Sequence, residues 1–204
     1  MLTNTDLRPL HRRAVLASVD VVAAITPDHL DLPTPCGDWT LHHLLAHMTV
    51  QHRGFAAAAR GAAADLQVWD PDRVAAAVAA DPVGTYTEAA EDLLAAFGAD
   101  GVLGASFTLP EFGPDAVFPG PVAIAMHFVD YAVHGWDVAR SLGRPFALDD
   151  DVVAAALSVA RIVPDDESRA AAGAPFGPAD HAGDGATDLD LLVAHLGRSP
   201  RWPN

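Results

Sequence analysis

Helix-forming runs bracketed by proline and glycine divide this chain, and the longest of them strongly constrains the fold. Gly120 and Pro121 open it and Gly143 closes it. Proline at a first helical position already has the φ a helix needs, and glycine just past the end takes the left-handed turn. The run between them predicts a helix over Pro121–Leu142 of about six turns. The same punctuation recurs. Leu7, Leu10, Ala14, Ala17, Val21 and Ala24 share one face of a helix predicted over Asp6–Ile25, with Pro9 tolerable only in its first turn. Thr40 is a good cap for Leu41–Arg60, closed by Gly61. Asp70–Pro71 and Asp81–Pro82 repeat a cap-plus-first-turn signature for Pro71–Ala80 and Pro82–Phe97. Asp149 opens a further helix to about Val163, and Thr187 a short one over Asp188–Leu196.

The intervening stretches read differently. TPDHLDLPTPCGDW, at 26–39, holds too much proline for regular helix. Residues 99–120 are rich in Gly and Pro and read as a crossing loop with room for a short strand pair. Residues 164–186 are polar and are expected to run over the surface. The expected fold is therefore all-α, a four-helix bundle with a long crossover loop and a short C-terminal extension. Residues 1–164 form the bundle and 165–204 the extension, packed on or beside it.

Composition excludes several chemistries. All 12 basic residues are arginine, against 27 acidic ones, for a net charge of −15. Without lysine there is no Schiff base, no pyridoxal-phosphate anchor and no phosphate-loop lysine. One cysteine permits neither an internal disulfide nor a Cys-rich zinc site. The acidic balance argues against nucleic acid and against anionic membrane surfaces, because both need clustered cations. The N-terminal MLTNTDLRPLHRR has no apolar core of a signal peptide, and no apolar run is long enough to span a bilayer. A cytoplasmic location is expected. With half of the residues hydrophobic, a sizeable core is available. Alanine-rich helix faces can be buried against a second copy as readily as inside a bundle, so a homodimer is compatible with the sequence.

Ten histidines are the unusual feature. Asp130 and His134 lie four apart on the longest predicted helix, hence ~40° apart around its axis. A carboxylate and an imidazole so placed can reach one metal ion. The spacing equally suits an Asp–His hydrogen bond within the helix. His127, two turns before His134 and nearly eclipsed with it, is a further candidate ligand or partner. Asp137 has Arg140 and Arg144 within reach, and Trp136 reads as a core aromatic. In the helix over Leu41–Arg60, Leu44, Leu45, Met48 and Phe55 define the buried stripe. His47 falls inside that stripe and His43 near its edge, whereas His42 and His52 point elsewhere. A buried histidine needs a partner. The partner of His47 is either a neighbouring helix or a metal shared with Asp130 and His134.

Two motifs carry a resemblance. TPCGDWTLHHLLAHM at 34–48 and VDYAVHGWDVARSLGRP at 129–145 resemble those of the mycothiol-dependent maleylpyruvate isomerase-like metal-binding proteins. FGP at 176–178 and LLVAHLGRSPRW at 191–202 are similar to a branch of that family. The resemblance implies a DinB/YfiT-like four-helix bundle and a metal held by His47, Asp130 and His134. The family's acid is commonly Glu, so Asp130 is one methylene shorter. Two histidines and a carboxylate suit zinc with open coordination positions, and equally nickel or ferrous iron. The resemblance favours zinc.

It also implies a nucleophile from outside the chain, a low-molecular-weight thiol such as the mycothiol of actinobacteria. The expected activity is isomerisation or S-transfer on a small electrophile. The alternative is a non-catalytic metal-binding bundle acting as a sensor or stress-associated binding protein. Cys36, between Pro35 and Gly37, is expected to pack its turn, and Arg53, Arg140 and Arg201 to be surface arginines.

Overall fold

The computed structural model describes residues 6–171 and 174–204. The chain is mainly helical, with seven α-helices and one two-stranded sheet among the described residues. Helix α1 spans Arg8–Val22, α2 Leu41–Ala59, α3 Asp72–Ala80 and α4 Pro82–Gly98. Strands β1 (Ser106–Thr108) and β2 (Val117–Pro119) follow, then α5 (Gly120–Ser141), α6 (Asp150–Ala160) and α7 (Asp188–His195). No helix among the described residues is long and apolar enough to cross a membrane.

Local chemistry accounts for the ends of these elements. Thr40 and His43 form a reciprocal capping box at the start of α2. Thr187 and Asp190 form another at the start of α7, and Asp81 caps α4 through the Gly84 amide at 2.9 Å. Helix α1 is shorter than the Asp6–Ile25 periodicity predicts. Its last turn tightens, with the amides of Ala24 and Ile25 donating to carbonyls three residues back. Helix α6 stops at Ala160 rather than Val163, because Pro164 disfavours helical geometry at the residue before it. Asp149 precedes α6 without a side-chain cap; its carboxylate accepts from Arg13 instead, at 2.7 Å. The crossing loop carries the short antiparallel pair, with Phe107 opposite Phe118.

Helix α5 is the centre of the molecule. It packs against α1, α2 and α6, while α4 packs against α1 and α2. One apolar cluster joins α2 and α4 to α5 through Leu44, Leu45, Met48, Leu93, Phe97 and Tyr131. A second lies on the opposite side of α5, where Phe128, Val133 and Trp136 meet Leu157, Leu192 and Leu196. Gly135 permits this close packing. A Cβ there would lie 2.7 Å from the ring of Phe146.

Between these helices runs a row of buried polar rings. His127 is hydrogen-bonded to His11 at 2.9 Å and to His52 at 3.2 Å. Its ring stacks on Tyr131 at 4.0 Å, and the Tyr131 hydroxyl donates to the Met48 carbonyl. Tyr86 and Ser18 share a hydrogen bond of 2.7 Å beside them. These histidines are partnered inside the core, so His127 is not available as a ligand.

The 164–186 stretch does more than run over the surface. Arg169 is buried and draws carbonyls around itself, donating to Pro164 at 2.6 Å, Val163 at 3.1 Å, Gly177 at 3.3 Å and also His195. Residues 172 and 173 of that stretch lie outside the described residues.

Candidate metal centre

The loop before α2 delivers two side chains. The Thr34 hydroxyl donates to the Trp39 carbonyl at 2.9 Å and accepts from the Cys36 amide at 3.1 Å, with Gly37 at φ 61° between them. This tight loop sets the Cys36 side chain against α5 and the Trp39 ring 5.0 Å from that of His47. His43 accepts from the Thr40 amide at 3.4 Å as part of the capping box. It is exposed, and its ring closes the cap of α2.

One ligand atom each of His47, Asp130 and His134 lie within 4.8 Å of one another. Asp130 Oδ1 stands 3.3 Å from His134 Nε2, and the rings of His47 and His134 meet edge to face at 5.3 Å. Donors of a four-coordinate zinc ion bound at about 2.0–2.2 Å lie about 3.3–3.6 Å apart. The Asp130–His134 pair already has that separation. The exposure is graded: the His134 side chain is 6% exposed and that of Asp130 24%. The trio is therefore buried at His134 and partly exposed at Asp130 and His47. That suits a site with free coordination positions.

Electrostatics favour a cation there. Burial, helped by His134, pushes His47 down to about 4, so its ring is neutral and its lone pair available at neutral pH. Burial opposes charge on His134 as well, but Asp130 and Asp137 outweigh it and hold that ring at about 10. The position between the two carboxylates stabilises positive charge strongly.

Behind the trio, His134 Nδ1 donates to Asp137 Oδ2 at 2.9 Å. Asp137 is fully buried. Burial alone would raise its pKa, but Arg198 and His134 bring it down to about 2. Arg198 Nη2 donates to Oδ2 at 3.1 Å and Nε to Oδ1 at 3.4 Å, and the Cys36 thiol donates to Oδ2 at 3.0 Å. The pairing of Asp137 with Arg140 or Arg144 expected from the sequence does not occur. Arg140 instead lies over the Trp136 ring, 5.1 Å from its centroid, and donates to the Pro200 carbonyl.

Cys36, His134 and Asp137 are a second group with metal-ligand spacing among the described residues. The Arg198 guanidinium already neutralises it, lying 3.5 Å from the Cys36 sulfur as well as beside Asp137. Burial first, then Asp137, raises the Cys36 pKa, so it remains a thiol donor. The two nitrogens of His134 thus divide the two groups. Nε2 faces the partly exposed trio and Nδ1 the charge-compensated one.

Beside His47, Trp39 is 39% exposed. One turn beyond His47, Gln51 donates to Glu111 at 2.8 Å, and burial raises the Glu111 pKa. The surface depressions lined by Leu157, Asp180 and His195, and by Arg13, Asp20 and Val152, include none of the three donors.

Arg198 lies within the LLVAHLGRSPRW stretch, but nothing local marks it as part of the site apart from the glycine before it, which ends α7 and redirects the chain.

Fold and site together define a mostly helical protein with a partly exposed His–Asp–His group backed by a buried carboxylate. The chain belongs to the mycothiol maleylpyruvate isomerase N-terminal domain family, which it matches over residues 11–139. That span contains the three donors, Cys36 and Asp137, but not Arg198. Two proteins of Mycobacterium tuberculosis, both described as uncharacterised, are each 31% identical to it over 191 residues. One is from strain CDC 1551 / Oshkosh and the other from strain H37Rv; the alignments cover 94% of this chain and 97% of theirs. No solved structure matches the chain.

Proposed function

We propose that this protein is a metal-dependent enzyme that uses a low-molecular-weight thiol of the mycothiol type as nucleophile, acting as an isomerase or S-transferase on a small electrophile. The observation that carries this reading is the convergence of His47, Asp130 and His134 within 4.8 Å where α2 meets α5. We assign these three as the metal ligands and, on the resemblance of the two motifs, zinc as the metal; the donor set itself suits nickel and ferrous iron equally. When bound, a divalent cation lowers the pKa of a coordinated thiol or water and so supplies a nucleophile at neutral pH.

The chain's own residues have distinct tasks in this scheme. His47 offers a neutral ring. Asp137 accepts from His134 Nδ1 and keeps Nε2 directed at the ligand position. Trp39 provides an apolar wall beside His47, and Gln51 with Glu111 provides polar groups on the same side. The thiol sulfur adds to an activated double bond and later leaves, permitting isomerisation, or it displaces a leaving group and stays on the product. The high thiol pKa of Cys36 fits this scheme, because the chain then has no reactive sulfur of its own.

The ring of packed pairs α1–α5, α5–α2, α2–α4 and α4–α1 supports a four-helix bundle of the DinB/YfiT-like type as the frame. We take residues 1–164 as that bundle and 165–204 as the extension beside it, in a cytoplasmic protein able to form homodimers.

Metal analysis of the purified protein tests the ligand set. One equivalent of metal is expected in the wild type and little in His47→Ala; equal content in both would overturn it. Titrating a cobalt-substituted sample with a mycothiol-like thiol tests the chemistry. A thiolate charge-transfer band is the expected result. Stoichiometric metal without such a band would leave the non-catalytic sensor as the better reading.

A further inference from the structure

We propose that Arg198, outside the family-matched span, is a positioning residue for the metal ligand His134, acting through Asp137. The inference rests on the metal reading above.

The local sequence builds this arm. Gly197 follows the last residues of α7 at φ 80°. Its amide donates to the Ala194 carbonyl at 3.0 Å and the Arg198 amide to Val193 at 2.9 Å. This pair of bonds is the glycine-terminated helix stop that turns the chain back on itself. The turn also needs glycine for space, because a Cβ there would lie 2.8 Å from the Gly177 carbonyl oxygen. The result aims Arg198 inward, under the ring of Phe176 at 5.7 Å, with Nη1 donating to Leu196 at 2.8 Å. The rest of the guanidinium is directed at Asp137 and the Cys36 sulfur.

Asp137 has no access to solvent. A carboxylate in that position needs a fixed cation and a full set of donors to stay where it is. Arg198 supplies both, from a residue 61 positions away in sequence. Held there, the carboxylate accepts from Nδ1 and fixes the ring orientation that points Nε2 at His47 and Asp130. Without the guanidinium, Asp137 keeps only the His134 and Cys36 donors around a buried charge. The ring then loses the fixed acceptor that orients it. Metal binding and docking of the C-terminal arm are coupled by the same link, so each strengthens the other by one common factor.

The test is zinc affinity by competition with a chromophoric chelator, together with the ring ¹⁵N shifts of His134 in protein saturated with zinc. Arg198→Gln should bind zinc ~10- to 100-fold more weakly, the range found when an outer partner of a ligating histidine is removed. Its His134 Nδ1 shift should move toward that of a ring without a carboxylate acceptor. Arg198→Lys should fall between this variant and the wild type, because an ammonium keeps the charge but not the fork. Trp202 packs partly buried against the second apolar cluster, so Trp202→Ala should loosen the arm while leaving the guanidinium, and should bind zinc more tightly than Arg198→Gln. Folded Arg198→Gln with zinc affinity within about twofold of wild type would overturn the proposal, as would equal weakening by Trp202→Ala. If Arg198→Gln does not fold, Arg198→Lys decides, and unchanged affinity and shifts in it count against the proposal. Wild-type protein that binds no zinc would instead remove the metal reading itself.

Discussion

His134 Nδ1 stands 2.9 Å from Asp137 Oδ2, and this single contact sets the direction of the opposite nitrogen. A ring whose Nδ1 is a committed donor leaves Nε2 as the nitrogen a metal would take in place of its proton, and Nε2 faces Asp130 at 3.3 Å. Asp137→Asn keeps the shape but can present its amide NH₂ to the ring, favouring the other tautomer. Metal affinity should fall ~10- to 100-fold, or about 1.4–2.7 kcal/mol. Competition with a chelator measures it, and an unchanged affinity would show that Asp137 does not orient the ligand.

Metal loading should stabilise the fold. A ligand present at a hundredfold excess over its dissociation constant adds about 2.7 kcal/mol. In a chain of this size that is roughly 5–10 °C in Tm. A chelator should reverse the rise, and His47→Ala and Asp130→Ala should lack it. Scanning calorimetry with and without zinc and chelator provides the check. Equal responses in wild type and both variants would place the metal elsewhere.

The buried row His11–His127–His52 makes the protein acid-labile. Burial pushes His11 down to about 3 and the other two well below the ordinary value for histidine. The unfolded chain therefore binds more protons than the native one below about pH 6.5, so stability falls as pH falls. The contribution is complete above that pH and drains away toward the depressed native values. Each ring costs up to about 1.4 kcal/mol per pH unit, so three together cost about 4 kcal/mol between pH 7.5 and 5.5. That is a large part of a typical total of about 5–15 kcal/mol. Urea unfolding at the two pH values measures the loss, and His127→Phe should reduce it by at least the share of one ring. A stability that is level across this range would contradict the neutral buried row.

Gly197→Ala should destabilise the protein by about 1–2 kcal/mol from the left-handed backbone alone. The close Gly177 carbonyl adds to that. Thermal unfolding checks the magnitude. The same substitution at Gly135 tests a contact with the Phe146 ring tip, which can shift more readily than backbone.

Much of the local structure is legible in the sequence. Thr40, Asp81 and Thr187 mark helix starts because short polar side chains satisfy the first free amides. Asp130 and His134 share a face because the helical period alone makes them neighbours. His43 and His47 have the same spacing, yet only His47 turns toward α5, while His43 closes the capping box. Periodicity does not distinguish these outcomes, since both residues lie along one side of the helix. Nor does composition reveal that three further histidines form one buried row, or that Arg169 gathers carbonyls inside a stretch that looks like surface loop.

Residue order alone therefore dictates the set of helices, the caps at Thr40, Asp81 and Thr187, and the pairing of residues three or four apart. Backbone hydrogen bonding and side-chain period are local, and they need no partner to be read. Tertiary packing alone decided which rings meet across helices: His47 with His134, His127 with His11 and His52, and Arg198 with Asp137. Those contacts depend on how each helix is rotated about its axis and on where the arm after α7 returns. Both are settled by burying apolar surface over the whole chain, not by the residues that end up touching.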